Sequence, residues 1–350
     1  MSLQDLLAAL GVIINGLPQG LLALSYGFAA LPTSIAFFVG AAGALAFGLV
    51  APISFQAETI TLVGTMGKNR QERLSMLIWE GAAMTVIGLM GLLQAIVNFV
   101  GPAVTNGMMA GVGVVLTAVA VNMVREELMV GLASAATALL VYMPTKNLVY
   151  TIVASVTAST ILANLLGKVN PVSHDGEYER FILQRPIATP RVLRGAAALM
   201  CLNIGANIAF GNITGSIANS SVNIDHLAIV SSLADLGSAL FGGGPVESII
   251  SATGAAPHPV LAGALMMALM GVILVAGLLP RLGRYVPMQP IAGFLLVLGA
   301  IVTFPTNAKL AIAADPLVGG VTAAVTATTD PFLGMLAGVV MKYLIAAFGV

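Results

Sequence analysis

Charge is what this chain has least of. Of its 350 residues only 8% are Asp, Glu, Lys or Arg, against roughly 25% in a soluble domain. The 14 basic and 14 acidic residues cancel, which argues against a nucleic-acid partner or a polybasic lipid-binding role. The single cysteine, Cys201, excludes an intramolecular disulfide framework and a Cys-cluster metal site, and reads as a small buried apolar residue. His174, His226 and His258 are dispersed in loops or at segment ends and make no metal site. A nucleotide-binding loop is missing, so ATP-driven transport has no support. A His-Asp-Ser set and a metal motif are missing too, so the sequence reads as no enzyme and calls for no cofactor. The N-terminus lacks a basic region and a cleavage site, so the first apolar run reads as a retained span.

Apolar sequence is abundant. The chain is 58% hydrophobic, with a mean hydropathy of +1.01. Apolar runs between turn signals give about fourteen segments: 5–30, 33–51, 52–67, 74–98, 102–124, 128–143, 147–167, 194–212, 225–241, 243–257, 258–279, 286–304, 308–328 and 331–348. The longest polar stretch, Lys168 to Arg194, is too small to fold alone and reads as a linker. The fold class is therefore an all-α polytopic protein of the lipid bilayer.

Divided at the linker, the chain gives a first repeat at 1–167, a linker at 168–193 and a second repeat at 194–350, with seven segments on each side. "GALAFG" at Gly43–Gly48 parallels "GSALFG" at Gly237–Gly242. Pro52 then Glu58-Thr-Ile parallels Pro245 then Glu247-Ser-Ile, and "PAVTNGMMAGVGVVL" from Pro102 parallels "PMQPIAGFLLVLGA" from Pro287. Seven is odd, so the second half enters the membrane from the opposite side and the repeat is inverted. Segments 3 and 10 are short and interrupted, at Pro52 and at Gly243, Gly244 and Pro245. Paired broken segments of this kind point to a secondary transporter's midplane site. Unwound backbone survives in a bilayer only where protein or a watery cavity satisfies its polar groups.

Four carboxylates fall inside apolar segments: Glu58, Glu80, Asp235 and Glu247. An ionisable group there is costly and is a functional candidate by default. Glu247 follows Gly-Gly-Gly-Pro at the expected start of a half-helix, where it binds substrate or caps free backbone N–H groups. Glu58 is its repeat partner, in substrate contact or bonded to Gln56. Asp235 suits an interhelical contact or a proton relay, and Glu80, beside Trp79, reads as interfacial. Asn203 and Asn207, at i and i+4, share a helix face; their amides suit a neutral heterocycle or join helices in lipid. Asn15, Gln19 and Ser34 offer weaker chemistry of the same kind.

The stretch "LADLGSALFGGGPVESIISATG", Leu233 to Gly254, with "PISFQAETITLVGTMGK" from Pro52, resembles the nucleobase–cation symporter two superfamily. That resemblance, to xanthine/uracil and guanine/hypoxanthine permease-like proteins, covers nearly the whole chain. It implies a core of segments 1–4 and 8–11, a gate of segments 5–7 and 12–14, and strands pairing in segments 3 and 10. The implied activity is elevator-type symport of a purine, pyrimidine or related heterocycle by a homodimer, driven by H+ or Na+, in a bacterial cytoplasmic membrane. Glu247, Ser248, Glu58, Thr59, Asn203 and Asn207 would then bind substrate, with backbone near Gly64 and Thr65 assisting. Glu247, Asp235 and Glu58 would carry the coupling. The sequence departs from the family in segment eight, where Asn203 and Asn207 stand in place of a second acidic residue.

An anion transporter of sulfate or bicarbonate type is the alternative on the same fold. Glu247 and the lack of an intramembrane Lys or Arg count against it. Eleven Lys and Arg follow odd-numbered segments, whereas only Lys146, Lys309 and Lys342 follow even-numbered ones. The positive-inside rule then puts both termini outside, while the resemblance implies termini in the cytoplasm.

Overall fold

The computed structural model describes residues 2–168, 179–283 and 289–348. His174, Arg284, Pro287 and the middle of the linker lie outside the described residues. The first half runs α1 (Leu3–Ser25), α2 (Ala30–Phe47), β1 (Ile53–Ser54), α3 (Ala57–Met66), α4 (Arg70–Leu89), α5 (Leu93–Val100), α6 (Pro102–Glu126), α7 (Leu128–Thr145) and α8 (Leu148–Leu165). The second runs α9 (Pro190–Ile217), α10 (Ile224–Leu240), β2 (Glu247–Ser248), a 3-10 turn at Ala252–Ala255, α11 (Pro259–Val275), α12 (Leu278–Gly283), α13 (Ala292–Leu296), α14 (Phe304–Ala314), α15 (Pro316–Thr328) and α16 (Pro331–Phe348). Among the described residues eight helices are long and apolar enough to span a bilayer, or nine when the bent pair α4–α5 is one span. Together with the two broken segments, α10 and the two shorter apolar helices α11 and α15 they make the fourteen segments of a seven-plus-seven inverted repeat.

The repeats interlock at their broken segments. β1 and β2 run antiparallel, with Ile53 opposite Ser248 and Ser54 opposite Glu247. Ile249 N extends the ladder to Pro52 O at 3.2 Å. Isolated strand pairs this short have no stability of their own; helices on every side hold this one. α2 packs on α10 and α11, and α4 packs on α9 and α10. A second group forms where α6 packs on α13, α14, α15 and α16, and α7 packs on α8.

Several boundaries differ from expectation for local reasons. The fourth segment breaks at Gly91, whose φ of +64° no other residue type adopts freely, and α5 leaves α4 at 99°. The twelfth segment runs on to Ala314, because a π-helical stretch at Val297–Thr303 carries the helix through Pro305. The chain breaks instead at Asp315, whose Oδ1 accepts from Leu317 N and Val318 N ahead of Pro316. An N-cap aspartate followed by proline is a strong start signal. Segment 10 departs most. Glu247 does not begin a half-helix: it lies in β2, and only the single turn Ala252–Ala255 follows. Pro257 and Pro259 close off any longer helix there.

Several charges of the basic loops are paired. Lys168 Nζ lies 2.7 Å from Glu127 and Arg194 2.5 Å from the buried Asp330. The positive-inside rule would seat the basic loops in the cytoplasm, opposite to what the resemblance implies. In a Cys201→Ala background, an impermeant maleimide should label Lys146→Cys in intact cells and Arg281→Cys only after permeabilisation. The opposite pattern overturns this orientation.

Candidate functional site

A cavity of about 650 Å³ lies beside the strand pair, between α1, α3, α6, α9 and the twelfth segment. Its position follows from the interruption at Pro52. Residues 52–56 stay extended to midplane, and α3 starts only at Ala57. The first turn of α3 therefore meets the cavity with its N-terminal dipole. Gln56, the N-cap, gives no side-chain bond; Gln19 of α1 reaches across instead, its Oε1 accepting from Ala57 N at 2.8 Å. Gln19 Nε2 is in turn held by Asn15 O at 3.2 Å.

Among the described residues Glu58 is the one charged side chain in the lining. It is buried, turns back onto its own backbone N–H, and leaves Oε2 without a partner. The rest of the polar lining is rich in carboxamides: Asn15, Gln19, Gln56, Asn98, Asn106 and Asn307. Phe55, Phe294, Ile249 and Ile250 give it apolar walls, and Leu298, Val302 and Thr303 of the π-helical stretch complete one side.

The other expected site residues sit elsewhere. Glu247, Ser248, Thr59, Asn203 and Asn207 are buried and do not line the cavity. Asn207 Nδ2 donates to Asn203 Oδ1 at 2.5 Å, and Asn203 Nδ2 donates to Glu80 Oε1 at 3.1 Å. The amides do share one face, as their spacing requires, and they turn it to α4. Glu80 is not interfacial: it is 1% exposed, while Trp79 beside it is 39% exposed and donates to Ile187 O. Burial follows from helical phase, which turns neighbours about 100° apart. Asp235 Oδ1 accepts from Val246 N at 2.7 Å and pins the approach to β2. Glu247 lies within electrostatic reach of Glu80 and Glu58, and Asp235 within reach of Glu80 and Glu247. Among the described residues none of these four carboxyls is ion-paired.

The break itself divides its work among three glycines. Gly242 adopts φ +94°, and its carbonyl accepts from Ala29 N and from the Arg70 guanidinium. Gly243 bridges Ala29 in parallel register, and Gly244 N donates to Thr33 Oγ1 at 2.7 Å. Pro245 follows in extended backbone, without a helix behind it. Gly64 packs on the Tyr26 ring, and Thr65 bonds Thr61 O inside α3; neither lines the cavity. Ser34 is buried on α2 and donates to Leu31 O, also off the cavity.

No family model matches the sequence, and no curated protein matches it. Solved structures do. The transmembrane domain of a cyanobacterium bicarbonate transporter, BicA, matches with TM-score 0.68 at 16% identity over 96% of both chains. SLC26A9 matches with TM-score 0.71 at 14% identity, over 99% of this chain and 65% of that one. The murine SLC26A9 anion transporter in its inward-facing state gives 0.68 at 15%, over 99% and 68%. The chain thus has the fold of these transmembrane domains. The matches correct the resemblance to the nucleobase–cation symporter two superfamily. The stretch that carried it, Leu233 to Gly254, builds no second half-helix for a base-binding glutamate to head.

Proposed function

We propose that this chain is a proton-coupled secondary transporter of a small anion. The observation that carries the reading is Glu58 in the first turn of α3, at the cavity wall. A helix N-terminus attracts negative charge, and here a tethered carboxylate holds that place. An external anion competes with it until Glu58 takes a proton. The carboxyl then stops repelling the anion and offers it an O–H donor, so anion and proton load together. Carboxamides supply further donors without a fixed cation, which leaves the site free to release its cargo. The similar structures described above include a bicarbonate transporter and an anion transporter, which supports the same cargo class.

The objection raised by Glu247 loses force, because Glu247 lies within β2 and outside the cavity lining. Movement is of the elevator type: the unit of segments 1–4 and 8–11 carries the site past segments 5–7 and 12–14. The protein works as a homodimer in a cytoplasmic membrane.

Purified protein in liposomes, given an inward proton gradient and labelled bicarbonate, sulfate or short carboxylates, tests the reading. Uptake of at least one anion should rise with the gradient and should carry protons inward with it. If none of these anions moves while an uncharged solute or a cation does, the assignment fails.

A further inference from the structure

The buried groups behind the strand pair are unlike their counterparts in the other repeat. Inversion relates α1 to α9, α4 to α11 and β1 to β2. Ser54 of β1 sits against Gly16 of α1 beside Met270 of α11. That side needs no carboxyl to pack. On the other side, α9 presents Asn203 and Asn207, α4 presents Glu80, and β2 presents Glu247. The fold does not demand these polar groups, and lipid-embedded cores make them costly.

Their hydrogen bonding is also incomplete. Among the described residues Glu80 Oε2, Glu247 Oε2 and Asn207 Oδ1 have no partner, and all three residues are at most 1% exposed. A glutamate kept only to join helices would have both oxygens satisfied. The charged or titratable groups that face Glu80 are Glu247 from β2 and Asp235 from α10, and Glu58 from α3 faces Glu247 in turn. α9 faces it with amides, and α5 carries no titratable side chain. Among the described residues no three such groups come close enough to hold a metal ion. Spread-out carboxyls of this kind are suited to protons, which one group can hold alone.

We propose that Glu80 and Glu247 form an inner proton-holding pair, one step behind the cavity. The idea rests on the proton-coupled reading above. A proton taken up by Glu58 passes to Glu247 and is held between it and Glu80; Glu58 returns to its carboxylate form and the anion departs. Asn203 fixes Glu80 through the 3.1 Å bond to Oε1. Glu80 is a positioning residue, because it acts through Glu247 and does not touch the anion.

Glu80→Gln keeps the shape and the acceptor for Asn203 but cannot carry a proton. In liposomes it should retain anion exchange within about twofold, lose at least about tenfold in proton-driven accumulation rate, and show a flattened pH profile. Infrared difference spectra after a pH jump give a readout that needs no cargo: a carboxylic-acid C=O component of the wild type should be missing from Glu80→Gln. If the wild type moves no anion but this component is still lost, the pair stands and the cargo assignment falls. Wild-type spectra together with wild-type accumulation in Glu80→Gln overturn the pair. Should that variant fail to fold, Asn203→Ala decides: it keeps Glu80, and the midpoint of the component should move by about one pH unit. An unmoved midpoint overturns the pair.

Discussion

Glu58→Gln is expected to leave anion exchange running while abolishing accumulation driven by a pH gradient. The glutamine keeps the length of the side chain, and it still occupies the first turn of α3 at the cavity wall. It cannot give up a proton, and it does not compete as an anion for the helix N-terminus. Cargo therefore binds regardless of pH. One proton moving with one monovalent anion turns a pH difference of one unit into about 1.4 kcal/mol, or about tenfold accumulation. The wild type should approach that ratio, and Glu58→Gln should settle near unity with a flat pH profile. Labelled-anion accumulation in liposomes, followed to steady state at several gradients, measures both. Tenfold accumulation by the glutamine variant would sink the role given to Glu58.

Gly243→Ala is expected to have the largest effect on folding. A Cβ at this position meets Ser238 Oγ at 2.3 Å, Thr33 N at 2.5 Å and the Pro32 carbonyl carbon at 2.8 Å. Two of these are backbone atoms of α2, which is itself packed between α10 and α11. They have nowhere to go. Overpacking of this kind costs roughly 3 kcal/mol or more when backbone must shift. The damage falls where Ala29 and Gly243 join the two repeats. The variant should lose most of its folded yield, read as monodisperse protein after detergent extraction. Gly320→Ala, where nothing stands within 4 Å, is the control and should behave as wild type. Normal yield of Gly243→Ala would mean that the approach to α2 is looser than described.

The sequence announced the membrane, the fourteen segments, the inversion and the two broken segments, because each rests on composition or on covalent punctuation such as Pro52 and Gly242. Helix ends set by competition were less legible. The twelfth segment was expected to end at 304, but a π-helical stretch carries it through Pro305 to Ala314, and Asp315-Pro316 starts the next helix. The site was legible in part. In the sequence Glu58 reads only as the repeat partner of Glu247, after the interruption at Pro52. The place of Glu80 was not legible, because the feature that defines it, contact with Asn203 on α9, joins residues 123 apart in the chain. Asn98, Asn106 and Asn307 carried no signal at all: each lies near the end of an apolar run, where a polar residue is ordinary. Glu247 was expected to head a half-helix after Pro245, but it lies in β2, and the prolines at 257 and 259 leave room behind it only for the turn Ala252–Ala255.

That missing half-helix has a thermodynamic consequence. In an inverted repeat the two end states of transport are related by exchanging the parts played by the halves, so equal halves would give wells of equal depth. Here one half offers the ten residues of α3 and the other a four-residue turn. The mirror-image states are therefore inequivalent by about the value of one helix-end interaction with charge, which reaches roughly 1 to 2 kcal/mol in partly buried settings. About 1.4 kcal/mol is a tenfold bias in population. In the transport cycle proposed above, the empty protein therefore favours one side for its cavity, and net movement still waits on a gradient.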